Sequence, residues 1–386
     1  MKEKMSGDSV TMPIELGSSE REAFAEGARE WLDANVSERW KANRGALSED
    51  ETDQIRHDWD RQLFKGGYAG LSLPKEFGGQ GYGLAEEVIF ADLSARAQAP
   101  DGLARIGRIL TAPTLIVHGT QRQLGQYLPK ILNGDEVWCQ GFSEPDAGSD
   151  LAGVRCRAVK VEGGFLISGR KIWTSFARQA DRCLLLAQTD PEAPRHKNLT
   201  MFLFDMRQEG VSISPIKQSS GLSHFAEVQF DRAFVADQDV VASEGDGWNV
   251  AMTVLMNERG GVEASSRYVE IRADMDLLIR TIGDRPEYRV QVDELDARIE
   301  LVRWQVLKSI DLEADSADYF KATSILKLAW SELWQEITQL GLETSDASTI
   351  DHWRHQYLET RAASIYSGSS EIQRNIISER ILGMPR

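Results

Sequence analysis

Residues able to hold a ligand or move a proton gather in a few short stretches of this chain. Trp138 to Asp150 reads WCQGFSEPDAGSD: an apolar start, a Ser143-Glu144-Pro145 turn, and a loop ending Ala147-Gly148-Ser149-Asp150. Small residues let a ligand approach the backbone, and the Ser149 hydroxyl can donate or accept. Pro145 fixes one turn, while Asp146 and Gly148 tolerate unusual dihedrals. The same composition also suits an ordinary connection between a helix and a sheet. Asn257-Glu258-Arg259 sets a carboxylate beside a guanidinium. Such neighbours usually form a surface ion pair, but a desolvated carboxylate can also serve as a general base. Trp173 lies in Gly169–Ser175, and a large indole is ordinarily core. Tyr366, Ser367, Ser369 and Glu371 set a phenol, two hydroxyls and a carboxylate in one short stretch near the end.

Other chemistries find less support. His352-Trp353-Arg354-His355 is the nearest thing to a metal pair, but no set of Cys or carboxylates accompanies it, so no metal is expected. His118 and His224 read as structural. Gly78-Gly79-Gln80-Gly81 lacks the following Lys and Ser or Thr of a phosphate loop. The three cysteines, Cys139, Cys156 and Cys183, are an odd count without close pairing, which predicts reduced thiols in a cytoplasmic protein. A net charge of −16 argues against nonspecific binding to nucleic acid or anionic membrane. No apolar run approaches the ~20 residues of a membrane span, and the first residues lack a signal-peptide core.

The elements that must position these groups change period twice. The chain's 386 residues suffice for two or three packed units. Residues 1–19 are expected to be mobile. Residues 20–136 read as a helical domain: Phe24, Ala28, Trp31 and Leu32 recur at helical spacing, a polar helix runs through Trp59 and Leu63, a Gly-rich loop follows, and helices resume over Leu84–Ala97, Ile106–His118 and Leu124–Leu132. Residues 137–241 read as a β-barrel or sandwich. Val154–Val161 and Phe165–Ile167 form a hairpin across Glu162-Gly163-Gly164, and short strands follow at Cys183–Leu186, Met201–Phe204, Val211–Ile216 and Val228–Phe230. Residues 242–386 read as a four-helix bundle. Its stripes are Leu295, Ile299, Val302, Val306, Ile310 and Ile325, Ala329, Leu333, Ile337, Leu340. Ser370-Glu371-Ile372-Gln373 looks like a capping box and Gly383 a stop. The fold class is α+β, with a β domain between two helical ones.

This layout, with LPKEFGGQGYG from Leu73, WCQGFSEPDAGSDLAG from Trp138, GRKIWTS from Gly169 and IYSGSSEIQRNIISERILG from Ile365, resembles the acyl-CoA dehydrogenase family from Glu20 to Arg386. The resemblance implies FAD between the β domain and the C-terminal bundle, an acyl-CoA substrate, electron-transfer flavoprotein as acceptor, and a dimer or tetramer of like or unlike chains. Carried over residue by residue, Ser143 matches a hydroxyl near the flavin pyrimidine edge. Gly148 and Ser149 match a loop reaching the FAD phosphates and the CoA thioester. Trp173 and Ser175 match residues beside the isoalloxazine, which sets aside the core reading of that indole. Tyr366, Ser369 and Glu371 match positions lining substrate and FAD, and Gly341 survives from a Gly-Gly that receives FAD, its neighbour here being Leu342.

The family reaction removes an α-proton with a carboxylate and passes the β-hydrogen as hydride to the flavin. The enolate-like charge needs preorganised donors, and the resemblance assigns one to the backbone N–H at Ser367. Most members carry the base just after the motif's Tyr, where this chain has Ser367, whose hydroxyl cannot do that work. A minority carry it on a bundle helix just before an Arg. Glu258 is therefore the expected base and Arg259 the orienting, substrate-side residue. The Arg-x-Gln-Phe-Gly segment of the family is absent from residues 279–300. These departures resemble bacterial members that act as unlike pairs on bulky thioesters, including sterol side-chain or ring fragments. Two alternatives stand beside the FAD-dependent dehydrogenase: a subunit of a heteromeric enzyme without a complete site of its own, and a flavin oxygenase or N-oxidase on the same scaffold.

Overall fold

The computed structural model describes residues 19–43, 47–258, 261–310, 312 and 316–385. Arg259 and residues 1–18 of the expected mobile segment lie outside the described residues.

The first helical layer holds α1 (Ser19–Asn35), α2 (Glu38–Asn43), α3 (Glu49–Lys65), α4 (Leu84–Arg96), α5 (Ala112–His118) and α6 (Gln121–Asn133). Local chemistry sets its boundaries. Ser48 and Glu51 cap α3 reciprocally, and Thr120 and Gln123 do the same for α6. Ala28 and Leu32 are buried as the spacing predicts, in a core that also holds Trp59 and Leu63. The stretch predicted as one helix from Ile106 begins instead with a π-helical turn, Gly107–Thr111, ahead of α5.

The sheet contains β1 (Trp138–Gly141), β2 (Arg157–Val161), β3 (Gly164–Ser175), β4 (Arg182–Gln188), β5 (Leu199–Asp205), β6 (Val211–Ile216), β7 (Phe225–Ala236) and β8 (Val240–Val241). Its pairing path is β6-β7-β3-β2-β4-β5-β8, with β1 parallel to β4. The path is open at β6 and β8, so the sheet is not a closed barrel. It bends until strands from its two halves pack on each other: Phe165 of β3 meets Phe202 of β5 at 5.2 Å, and Phe204 of β5 meets Phe230 of β7 at 5.0 Å. The first strand of the hairpin starts at Arg157 rather than Val154, because a 3-10 turn at Leu151–Gly153 delays it. Along β4, Cys183, Leu185 and Ala187 face the sheet's own core, whereas Leu184 and Leu186 face the helices. All three cysteines are free and buried.

The last layer holds α7 (Gly247–Glu258), α8 (Gly261–Ile282), α9 (Arg289–Ile310), α10 (Ala317–Thr344), α11 (Ile350–Thr360) and α12 (Ser370–Ile376). Helices α8, α9, α10 and α11 share one core, which α4 enters through Ala85 and Val88. Helix α7 stands apart from the bundle: Val250, Ala251 and Val254 pack on the sheet and the first helical layer. The α9 stripe of Leu295, Ile299, Val302 and Val306 is buried. In α10 the expected stripe holds only from Leu333 onward. Ile325 is exposed and Leu326 and Trp330 are buried in its place, since the inward face also has to meet Tyr366 and α11. The cap of α12 is Ser369 rather than Ser370. Gly368, at φ 88°, turns the chain one residue early, and Ser369 Oγ accepts from Ile372 N. Gln373 bonds the carbonyls of Ser367 and Gly368 instead of completing a capping box.

Candidate active site

Helix α7 ends on Glu258, and the loop after α11 brings Ser367 to it: Ser367 Oγ donates to Glu258 Oε1 at 2.7 Å. That loop is pinned from α10. Buried Lys327 Nζ donates to Ala363 O at 2.6 Å, and Gln335 Nε2 donates to Thr360 O at 2.8 Å and to Ser364 Oγ at 2.9 Å. Ser367 holds φ 54°, a left-handed conformation that L side chains rarely adopt. Three hydrogen bonds from two side chains thus hold a strained turn whose Ser367 hydroxyl meets a carboxylate.

Glu258 and Ser367 line a cavity of 1110 Å³ between the first helices, β3 and the last layer. Ser175, Phe176 and Tyr366 also line it, with Ile106, Ile109, Leu110, Pro113 and Val262 as an apolar wall. Burial pushes the Tyr366 phenol above its ordinary value, although Arg267 opposes this. Its ring lies 6.3 Å from that of Trp330. His224, read from sequence as structural, also lines the cavity, and burial lowers its imidazole below the usual value. His118 has a structural role, its Nε2 2.8 Å from Thr253 Oγ1 between α5 and α7.

At the sheet side of the site, Ile172 N donates to Ser143 O at 2.9 Å, which fixes the Trp138–Asp150 loop against β3. Beneath it, wholly buried Lys171 donates to Glu144 Oε1 and Phe142 O, each at 2.8 Å. Glu144 also accepts from the backbone N–H groups of Arg155 and Cys156. A buried pair satisfied this fully makes the loop rigid. β3 breaks register between Lys171 and Thr174, and the bulged residue is Trp173, at φ 59° and 54% exposed. The indole is thus not core. It stands out from the sheet with Phe225 edge-on at 6.1 Å. Gly148 and Ser149 are exposed, and a side chain at Gly148 would meet nothing within 4 Å.

The expected site residues therefore divide. Glu258, Tyr366, Ser367 and Ser175 share the cavity. Trp173 on β3 and Ser143 on the loop bonded to that strand form a ledge, and Gly148 and Ser149 are an open loop beside it. Ser369 caps α12, with Glu371 exposed in its first turn. Gly341 has a packing reason of its own: any Cβ there would meet the Trp353 ring at 2.3 Å. Sequence reasoning missed Arg105, Glu263 and Arg267, which also line the cavity. Glu263 and Arg267 carried a signal, an i,i+4 pair on a helix, whereas Arg105 joins them from 158 residues away. His352 bonds buried Asp274 at 2.9 Å, and Trp334 Nε1 bonds the same carboxylate at 2.7 Å. Among the described residues no group of three or more His, Cys, Asp or Glu could hold a metal ion, and no helix is long and apolar enough to cross a membrane.

The ledge suits a flavin: a large exposed aromatic face, an adjacent hydroxyl at Ser175, and backbone at Gly148 that nothing obstructs.

Family models match in order along the chain: the acyl-CoA dehydrogenase N-terminal domain at residues 18–135, the middle domain at 139–233 and the C-terminal domain at 245–382. Acyl-CoA dehydrogenase IpdE1 of Mycolicibacterium smegmatis is 37% identical, the match covering 95% of this chain and 98% of the relative. Its namesake in Mycobacterium tuberculosis is also 37% identical with the same coverage. A solved structure described as Tcur3481-Tcur3483 steroid ACAD superposes with a TM-score of 0.79 at 26% identity, covering 95% of this chain and 98% of that one. Matched in all three domains and along nearly its whole length, the chain belongs to the acyl-CoA dehydrogenase family and is an oxidoreductase of that kind.

Proposed function

We propose that this enzyme desaturates a bulky acyl-CoA thioester between its α and β carbons, with Glu258 as the base and FAD as the resident cofactor. The observation that carries the reading is the meeting of Glu258 and Ser367 at the cavity, at 2.7 Å. Where most of the family has its glutamate, this chain has a hydroxyl, and that hydroxyl holds a carboxylate delivered from α7. Glu258 takes the α-proton. The Ser367 hydroxyl fixes one carboxylate oxygen, so the other is the one turned to substrate. Apolar side chains from Ile106 to Pro113 keep water from the α-carbon. Trp173, Ser175, Ser143 and the Gly148–Ser149 backbone would hold FAD, which supplies the hydride acceptor. Arg259 follows the base directly and is proposed to orient the thioester.

The cavity volume and the relative described as a steroid ACAD support a bulky acyl group. The test is a flavin-bleaching screen of the FAD-loaded protein against short, branched and steroid-like CoA thioesters under anaerobic conditions. Bleaching by a bulky thioester is expected. Bleaching by none, with flavin fully bound, would reject the activity.

We further propose an assembly with a second acyl-CoA dehydrogenase-type chain. Leu301 and Trp304 are 67% and 57% exposed on α9, on the side away from its buried stripe, and the steroid ACAD carries a two-part name. Light scattering of the purified chain, alone and with a co-expressed partner, reads this out. A monodisperse monomer under both conditions would exclude it.

A further inference from the structure

The cavity has a polar end that plain α,β-desaturation does not require. Arg105 donates to Glu263 Oε2 through Nη2. Arg267 donates to Glu263 Oε1 through Nε at 2.9 Å and to Glu270 Oε2 through Nη1 at 2.6 Å. Glu263 and Arg267 stand one turn apart on α8, beyond the junction that follows Glu258. Arg105 reaches them from the stretch just before the π-helical turn. Burial works to raise the nearby Asp101 carboxyl, but Arg105, Arg56 and Arg267 hold it below the ordinary carboxylate value.

Charge and hydrogen-bonding capacity give different answers here, and the difference is informative. Arg56, Arg105 and Arg267 face Asp101, Glu263 and Glu270, and Arg56 also feels Asp53 and Asp60, so no cationic charge is left over. A guanidinium, however, offers five N–H donors. Among the described residues, Arg105 Nη1 and Arg267 Nη2 reach no hydrogen-bond acceptor. Both side chains line the cavity and keep 34% and 23% of their surface open. A plain alkyl chain packed against these donors would take their water and return no acceptor. A carboxylate would satisfy them but bring an uncompensated charge.

We infer that the acyl group of the substrate carries a neutral oxygen, a ketone or hydroxyl, at the part remote from the thioester, where Arg105 and Arg267 receive it. This rests on the proposed dehydrogenation and names its substrate class. A site built to bond an oxygen rejects the analogue lacking it, because its own polar groups are left unpaired.

The test uses the FAD-loaded full chain and three thioesters: octanoyl-CoA, its analogue with a ketone beside the terminal methyl, and suberyl-CoA. Dissociation constants by calorimetry are read separately from flavin reduction. The keto compound should bind about tenfold or more tightly than both others. In Arg105→Met that preference should shrink severalfold, and Glu263 keeps Arg267 as its partner, so no carboxylate is stranded. Tighter or equal binding of octanoyl-CoA, tightest binding of suberyl-CoA, or no binding of any would overturn the inference. Ranked binding without bleaching would keep it and reject the dehydrogenation instead. The wild-type ranking stands even if the variant fails to fold.

Discussion

Ser367 and Glu258, 109 residues apart, share a 2.7 Å hydrogen bond in which the hydroxyl donates and the carboxylate accepts. Ser367 makes that bond from a left-handed backbone, a conformation costing roughly 1–3 kcal/mol for a non-glycine residue. On the proposed mechanism, position 367 gives up the family's usual carboxylate but keeps a part in the chemistry by holding Glu258. Removing its hydroxyl should leave Glu258 in place and loosen it. Ser367→Ala is expected to lower kcat about tenfold with KM little changed, the pattern of a lost positioning contact. Ser367→Gly should be as slow and yet unfold at a higher temperature, since glycine relieves the strain. Steady-state kinetics and thermal melts read both. A Ser367→Gly enzyme as fast as wild type would remove the hydroxyl from the mechanism.

Trp173 presents a comparable tension. An indole 54% exposed on a bulge at φ 59° is unfavourable in isolation, and it becomes reasonable if a planar cofactor covers it. Trp173→Ala should therefore purify with much less bound flavin and keep its melting temperature as apoprotein. The ratio of flavin to protein absorbance measures this. Undiminished flavin content would show that the ring does not hold the cofactor.

A buried ion pair underlies the wall that carries Arg105. Asp60, wholly buried, accepts from Arg108 Nη1 at 2.7 Å and from Ala104 N at 2.9 Å. Burial raises the Asp60 carboxyl and lowers the Arg108 guanidinium, with their mutual attraction opposing each shift. Desolvation is thus the larger effect on both partners, and neither is stable without the other. Asp60→Ala strands the cation and should destabilise by about 3–5 kcal/mol. Adding Arg108→Met should recover part of that loss. Urea denaturation of the three proteins decides it, and additive losses would argue against coupling.

Two histidines predict the acid side of the stability profile. Burial holds both His118 and His224 below the ordinary value of 6.5. Above that pH neither folded nor unfolded chain binds the proton, so the two imidazoles contribute no slope. As pH falls below 6.5 the unfolded chain takes up protons first, and stability declines until the folded imidazoles titrate too. His118→Gln and His224→Gln should each make the fall in urea midpoint below that pH shallower. An unchanged slope in both would show that these groups are not its source.

Much of the scaffold was legible because its signals are local. Gly163 marks the β2–β3 turn, Leu295 to Val306 mark the inward face of α9, and Leu84–Arg96 was readable almost to its ends. In sequence the strand at Trp138–Gly141 reads only as an apolar start, since four residues carry no period and the partner, β4, lies far along the chain. Helix α7 reads as bundle by its neighbours, but its apolar face fits the sheet. Glu258 could be proposed as the base because a residue was missing elsewhere. The part Ser367 plays could not, since a hydroxyl reveals its partner only in three dimensions. Arg105 with Glu263 and Arg267 was hidden for the same reason.

The central claim is that Glu258 removes the α-proton. The direct measurement is the anaerobic rate of flavin reduction by Glu258→Gln, loaded with FAD, against wild type, using a thioester that reduces the wild-type flavin. A fall of about a hundredfold or more, with flavin content and thioester binding retained, is the predicted result. A rate within a few-fold of wild type would contradict it.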